Sequence, residues 1–107
     1  MEHRKLGRTD MTVSVLGFGG SEIGYQRVSG GKVAKLLGSA LDAGLNVIDT
    51  AECYGDSESL VGHAIADRRQ EFHLFTKCGH FEGTGRDDWS IASLEKSFTK
   101  SDALRLA

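Results

Sequence analysis

The chain contains no proline, and its only two cysteines, Cys53 and Cys78, show neither a CxxC pair nor any metal-ligand spacing. The first absence excludes a proline-rich linker. The second argues against a disulfide-stabilised secreted scaffold, so we expect two reduced thiols in a cytoplasmic protein. No apolar run approaches the ~20 residues of a membrane-spanning helix. The polar residues 1–11 lack the apolar stretch of a secretory signal.

Charge is also low. The net charge is −2, and the 13 lysines and arginines are scattered along the sequence rather than clustered. A nucleic-acid or anionic-membrane surface would concentrate basic residues, so neither partner is expected. The four histidines have no metal-ligand spacing, which predicts no metal site. With 107 residues, of which 39% are hydrophobic, the chain is long enough for one domain with a buried core.

Hydrophobic periodicity predicts a hairpin followed by alternating strands and helices. Two short extended runs flank the turn residues Gly7–Asp10, a hairpin pattern. The segment after it reads as strand 15–20, loop 21–31, helix 31–43, strand 46–50, helix 56–69, strand 72–76, loop 79–88 and a helix capped by Ser90. Alternating strands and helices indicate an α/β fold with a parallel sheet and right-handed crossovers.

The apolar positions of these elements predict which faces are buried. Strand 46–50 has an apolar centre typical of burial on both faces. We expect Ser29 to cap the first long helix and Gly44 to end it. The inward stripes are Val33, Leu36, Leu37, Ala40 and Leu41 in that helix, Leu60, Val61, Ala64 and Ile65 in the second, and Ile91, Leu94 and Phe98 in the last.

Polar side chains follow the predicted strands at the edge where ligands of parallel α/β folds bind. Asp49 and Lys77 end two strands, and Tyr54 lies in the loop after Asp49. A phenol is a weak acid because its pKa is about 10, and a neighbouring lysine ammonium favours the phenolate. A carboxylate would keep that ammonium charged and oriented. The three side chains therefore predict a proton-donating group suited to carbonyl reduction.

Other interpretations of these residues stay open on spacing alone. Lys77 is also typical of a solvated strand end, Asp49 of a carboxylate that accepts from turn amides, and Tyr54 of a loop ring that packs. In a different barrel enzyme, Lys77 could be a Schiff-base nucleophile. The glycines at 17, 19 and 20 do not form the G-x-G-x-x-G pattern, so a Rossmann dinucleotide fold is not predicted.

Several motifs together resemble the aldo-keto reductases, near the bacterial oxidoreductases that are related to potassium-channel β-subunits. The opening RKLGRTDMTVSVLGFGG looks like the start of the family. LDAGLNVIDTAECYGDSESLVGHAI resembles its first signature, FTKCG the strand that ends in the active-site lysine, and IASLEKSF the helix that follows. These motifs cover most of residues 3–98 in the family's order.

The resemblance implies a (β/α)8 barrel, of the TIM-barrel type, that binds NADP(H) and interconverts aldehydes or ketones with alcohols. By position, Tyr54 is the proton donor, Lys77 tunes it and Asp49 pairs with Lys77. Gly20, Ser21 and Asp49 lie where the family approaches the nicotinamide. The initial hairpin matches the one that closes the amino-terminal mouth of the barrel.

A closed barrel typically needs about 250 residues. We therefore expect residues 1–107 to form an incomplete aldo-keto reductase domain, the amino-terminal part of a barrel: a hairpin and about three βα units, not closed. The family's catalytic histidine and most of its cofactor loops would lie beyond Ala107. We expect such a chain to be inactive alone. The alternative is a non-catalytic remnant or interaction module that self-associates through its open sheet edge.

Overall fold

The computed structural model describes residues 1–80 and 88–103. The elements follow the predicted order of a hairpin and then strands and helices in alternation. They are β1 His3–Lys5, β2 Thr12–Ser14, β3 Phe18–Gly19, α1 Ser21–Tyr25, α2 Gly30–Asp42, β4 Val47–Asp49, α3 Ser57–Ala64, a 3-10 helix Ala66–Glu71, β5 His73–Phe75 and α4 Ile91–Ala103.

The sheet that positions the site is parallel and has the order β3-β4-β5. Its registers place Gly19 opposite Asp49 and Asp49 opposite Phe75, so the three strands end at one edge. Within residues 1–80 and 88–103 these strands do not close into a barrel. The predicted α/β fold with an open parallel sheet is confirmed.

The antiparallel hairpin β1–β2 is attached to the amino end of β4 through Asn46. The Ser14 amide donates to Asn46 Oδ1 at 2.7 Å, and the Asn46 amide donates to Ser14 Oγ at 3.0 Å. Because Asn46 precedes β4, this reciprocal pair fixes the hairpin at the opposite end of the strand from Asp49.

The core lies between α2, α3 and the sheet. Val33, Leu37 and Leu41 are buried at a spacing of four residues, and Ile48, Val61 and Ile65 complete the centre of the core. Ser29 occupies the predicted N-cap position, but its side chain makes no capping hydrogen bond. Gly44, with φ +88°, follows the C-cap as predicted. The prediction for Leu36 is wrong, because this side chain flanks the buried stripe and is exposed.

Three predicted elements differ in the structure. The segment predicted as loop 21–31 begins with a short helix, α1, whose Ile23 and Gly24 are buried. The helix predicted to run to residue 69 ends at Ala64 and is followed by a 3-10 helix. In β4 only Ile48 is fully buried. Val47 and Asp49, on the other face of the strand, are half-buried, so the predicted burial on both faces is wrong.

The last helix also departs from its prediction. Ser90 caps α4, since its Oγ accepts from the Ser93 amide at 3.3 Å. Ile91 and Phe98, predicted to point inward, are 77% and 72% exposed, whereas Ser97 is buried. Leu94, the third residue of the predicted stripe, is half-buried, so only Ile91 and Phe98 face away from the described body. Of the predicted loop 79–88, residues 81–87 lie outside the described residues.

Candidate active site

The Lys77 ammonium and the Asp49 carboxylate meet at the carboxyl ends of β5 and β4. Lys77 Nζ donates to both carboxylate oxygens of Asp49 at 2.8 Å and to the Thr50 carbonyl oxygen at 2.9 Å. The strand register produces this pair, because Asp49 lies opposite Phe75 and Lys77 follows two residues later. Both side chains are 46% exposed, so the pair lies at the surface. It borders the open mouth that the carboxyl ends of β3, β4 and β5 form at one edge of the sheet.

The electrostatics of the pair keep Lys77 protonated. Partial burial lowers the pKa of the Lys77 ammonium. The hydrogen bonds and negative charge of Asp49, with a smaller effect of Tyr54, raise this pKa and together outweigh the effect of burial. The net result is a pKa above the usual range for lysine. Lys77 therefore acts as a fixed positive charge at neutral pH.

Tyr54 is the third member of the predicted cluster, and the structure brings it to the other two. Its ring centroid lies 5.2 Å from Lys77 Nζ. The backbone of the loop is held at both ends, because the Tyr54 amide donates to the Ala51 carbonyl and the Ser57 amide donates to the Tyr54 carbonyl. Tyr54 is half-buried, so its side chain is still accessible from solvent.

Gly20 and Ser21, the predicted cofactor contacts, lie beside Asp49. The Gly20 amide donates to the Asp49 carbonyl oxygen at 2.7 Å. A Cβ on Gly20 would lie 2.6 Å from Ser57 Oγ and 3.2 Å from the Asp49 carbonyl oxygen, so a side chain at this position would have to displace the Ser57 hydroxyl. Gly20 is buried and Ser21, half-buried, begins α1. Their backbone therefore borders the same mouth as the Asp49–Lys77 pair.

Buried hydroxyls and a buried carboxylate support the site, and sequence reasoning missed them. Thr50 Oγ1 and Ser57 Oγ are 2.8 Å apart and fully buried. Glu58 is buried and accepts a hydrogen bond from Thr76 Oγ1 at 2.6 Å, next to Lys77. Thr50 directly follows Asp49 and Thr76 directly precedes Lys77, so the positions of these two residues beside the strand ends were the available signal. Ser57 and Glu58 begin α3, and only the fold brings them to the strand ends. They fix the loop and the strand that carry the three polar side chains.

Neither cysteine belongs to a disulfide, and both are half-buried. Among residues 1–80 and 88–103, no group of three or more His, Cys, Asp or Glu side chains could hold a metal ion. In the same part of the chain, none of the helices combines the length and the apolar character needed to cross a membrane.

Comparison with known proteins assigns the chain to a family. The model of the Aldo/keto reductase family matches residues 15–103, and the chain belongs to that family. It is 36% identical over 107 residues to the uncharacterised oxidoreductase YqkF of Bacillus subtilis (strain 168), covering 94% of this chain and 34% of YqkF. It is 32% identical over 97 residues to a probable voltage-gated potassium channel subunit beta of Oryza sativa subsp. japonica, covering 86% of this chain and 29% of that protein.

A solved structure confirms the fold. The crystal structure of PA4992, a proposed aldo-keto reductase from Pseudomonas aeruginosa, superposes with a TM-score of 0.88 at 35% identity, over 95% of this chain and 41% of PA4992. The chain spans about a third of the length of the two curated relatives described above. The α/β fold is thus that of the amino-terminal portion of the family's barrel.

Proposed function

We propose that this chain supplies the proton-donating part of an NADP(H)-dependent aldo-keto reductase that acts on an aldehyde, a ketone or the corresponding alcohol. The observation that carries the proposal is the cluster at the strand ends. Lys77 Nζ lies 2.8 Å from both Asp49 carboxylate oxygens and 5.2 Å from the Tyr54 ring centroid. A fixed cation beside a phenol favours the phenolate, which makes the tyrosine a stronger general acid at neutral pH.

In the reductive direction, the phenolic proton of Tyr54 passes to the carbonyl oxygen while the carbonyl carbon gains a hydride. The charge that forms on the Tyr54 oxygen is stabilised by the ammonium of Lys77. Asp49 keeps Lys77 protonated and fixes its position, which avoids reorganisation during the reaction. In the oxidative direction the same phenolate accepts the proton of the alcohol, so one set of residues serves both directions.

The residues at the mouth fit the nicotinamide end of a cofactor. The Ser21 hydroxyl and the Asp49 carboxylate are polar groups of half-buried residues at this edge, and Gly20 brings the two segments together without a side chain between them. When bound, NADP(H) supplies the hydride. Gly20, Ser21 and Asp49 would hold its reactive end close to Tyr54.

The proposal treats the 107 residues as one part of the catalytic unit. An open three-stranded sheet offers few contacts to an extended dinucleotide, so we expect the chain alone to bind NADPH weakly and not to turn over. We also propose a cytoplasmic location. Both cysteines are free thiols, and a reducing compartment would keep them in that state.

The raised pKa of Lys77 argues against the alternative of a Schiff-base lysine. Burial lowers the pKa of Lys77, but Asp49 and Tyr54 together raise it by more, so the side chain stays an ammonium at neutral pH. A nucleophilic lysine must be deprotonated and is normally activated by a lowered pKa. Treatment with a carbonyl compound and borohydride should therefore leave Lys77 unmodified.

A chimera tests the proposed function. Residues 1–103 replace the matching amino-terminal segment of PA4992, and NADPH oxidation is followed with an aromatic aldehyde. We expect aldehyde-dependent oxidation by the chimera and by unaltered PA4992, and none by the 107-residue chain. A folded chimera that binds NADPH but does not reduce the aldehyde, while PA4992 does, would contradict the proposal.

A further inference from the structure

The short helix α1 packs directly on the loop that carries Tyr54. Its Gly24 is buried, and a Cβ at this position would lie 1.8 Å from the Tyr54 carbonyl oxygen and 2.8 Å from the carbonyl carbon. Real Cβ atoms do not approach other atoms so closely, so the two backbones can touch only because residue 24 has no side chain. The backbone of α1 therefore packs directly against the backbone of Tyr54.

Gly55 extends this contact from the side of the loop. It has φ +51°, a left-handed conformation that favours glycine, and a Cβ there would lie 3.1 Å from the Gly24 carbonyl oxygen. Two glycines thus face each other across the junction of α1 with the loop. This close approach brings the next residue of α1, Tyr25, to the side chain of Tyr54.

Tyr25 makes two contacts with the Tyr54 loop. Its ring centroid lies 5.8 Å from that of Tyr54, with an interplanar angle of 64°, which is an edge-type aromatic contact. Its hydroxyl donates to the Cys53 carbonyl oxygen at 3.3 Å. One contact involves the ring and the other the peptide immediately before Tyr54, so Tyr25 restricts both the side chain and the backbone of that residue.

We propose that Tyr25 is a positioning residue that holds the ring of Tyr54 next to the Lys77 ammonium. The inference rests on the proposed role of Tyr54 as proton donor and adds a residue that acts through it. Tyr25 is 52% exposed, so core packing does not account for an aromatic side chain at this position. The ring contact with Tyr54 and the hydroxyl bond to the Cys53 carbonyl oxygen support a role in positioning Tyr54.

Nuclear Overhauser measurements on the 107-residue chain test this inference without cofactor or substrate. Tyr25 and Tyr54 are the two tyrosines of the chain, so any Tyr25 substitution leaves a single tyrosine ring signal, that of Tyr54. The unsubstituted chain should show a ring–ring cross-peak between the two tyrosines and one between Tyr54 and the Lys77 side chain. A folded chain without the ring–ring cross-peak would overturn the proposal.

Two substitutions of Tyr25 separate the ring from the hydroxyl. Tyr25→Phe keeps the ring and should retain the Tyr54–Lys77 cross-peak. Tyr25→Leu removes the aromatic ring. The Tyr54–Lys77 cross-peak should then fall about threefold if the Tyr54 side chain distributes over three staggered χ1 rotamers. Glu22→Ala is the matched control on α1, because Glu22 is exposed and bonded to the Gln26 side chain. It should leave the cross-peak unchanged.

Equal Tyr54–Lys77 cross-peaks in the Phe and Leu variants would overturn the positioning role. So would an unfolded Tyr25→Leu chain beside a folded Tyr25→Phe chain, since Tyr25 would then support the fold as a whole. Neither outcome bears on the aldehyde activity of the chimera. Conversely, an inactive chimera with the expected cross-peaks would contradict the proposed function and leave the geometry of Tyr25 and Tyr54 intact.

Discussion

Lys77 Nζ lies 2.8 Å from each carboxylate oxygen of Asp49, a symmetric ion pair between the ends of two parallel strands. The pair forms because the register of β4 and β5 brings the two strand ends together. Its consequence is a lysine that stays charged although it is partly buried. Lys77 Nζ also lies 5.2 Å from the ring centroid of Tyr54, so the ion pair places a positive charge beside the phenol.

Asp49→Asn should lower the pKa of Lys77. Burial alone lowers it, and Asp49 supplies the largest opposing effect, so removing the carboxylate leaves the burial effect weakly opposed. The titration can be followed by 13C NMR of the lysine ε-carbons, with Lys77 assigned from the signal lost in Lys77→Met. Asp42→Asn is the control, because that exposed carboxylate pairs with Arg68.

The sign of the linked stability follows from the raised pKa. A group whose pKa is higher in the folded state stabilises fully below its unfolded pKa, about 10.4 for lysine, and loses this stabilisation as pH rises through the folded value. The difference in unfolding free energy between the parent and Asp49→Asn should therefore be constant near neutrality and shrink at alkaline pH. An unchanged Lys77 titration in Asp49→Asn would contradict this account of the pair.

Gly24→Ala should destabilise the chain, while Gly31→Ala should not. The added Cβ at position 24 meets the Tyr54 carbonyl oxygen at 1.8 Å, and such overpacking typically lowers the free energy of unfolding by about 1–3 kcal/mol. At Gly31, in the first turn of α2, nothing lies within 4 Å of the new Cβ, and we expect a gain of about 0.4–1 kcal/mol. Urea denaturation of the two variants measures both; equal stabilities would refute the close packing of α1.

Leu37→Ala and Leu36→Ala compare two adjacent leucines of α2. Leu37 is fully buried, whereas Leu36 is 50% exposed. Truncation of a buried leucine lowers the free energy of unfolding by about 2–5 kcal/mol, and a surface truncation stays within about 0.5 kcal/mol. Thermal or urea unfolding distinguishes them. Similar losses at the two positions would mean that α2 packs on a different face.

The α/β order and the ends of β4 and β5 follow from local sequence, whereas the partnership of Asp49 with Lys77 is one of several interpretations until the family resemblance is added. Apolar periodicity identifies α2, and parallel strands bring their carboxyl ends to one edge whatever connects them. The short helix α1 could not be predicted in this way. It has five residues, and its reason to form is tertiary: Gly24 lies against the Tyr54 backbone, which no local pattern of residues 21–25 encodes.

The face of α4 shows a second limit of sequence reasoning. Ile91 and Phe98 have the spacing of a buried stripe, yet both are exposed, and Ser101 Oγ instead donates to Glu58 at 3.0 Å. Periodicity indicates that a face is suited to burial but does not say which element covers it. Leu36 was predicted to belong to the buried stripe of α2 but is exposed. It lies at the margin of the stripe, and the spacing of apolar residues does not show how wide the buried face is.

The exposed face of α4 predicts self-association of the 107-residue chain. Among the described residues β5 pairs only with β4, so one edge of the sheet is open, and Ile91 and Phe98 of α4 are exposed. An open edge with apolar neighbours favours pairing with another copy. Light scattering after size exclusion should give a mass above the monomer, reduced by Ile91→Glu together with Phe98→Glu. A monodisperse monomer of the parent chain would argue against it.

Replacement of Tyr54 by phenylalanine in the PA4992 chimera tests the central claim most directly. The substitution keeps the ring beside Lys77 and removes the proton that the reaction needs. The value of kcat for aldehyde reduction should fall by about 10²–10⁴, the usual contribution of a general acid, while NADPH binding is retained. Ser39→Ala, which removes an exposed hydroxyl of α2, should leave kcat unchanged. A Tyr54→Phe chimera as active as its parent would contradict the assignment of Tyr54 as proton donor.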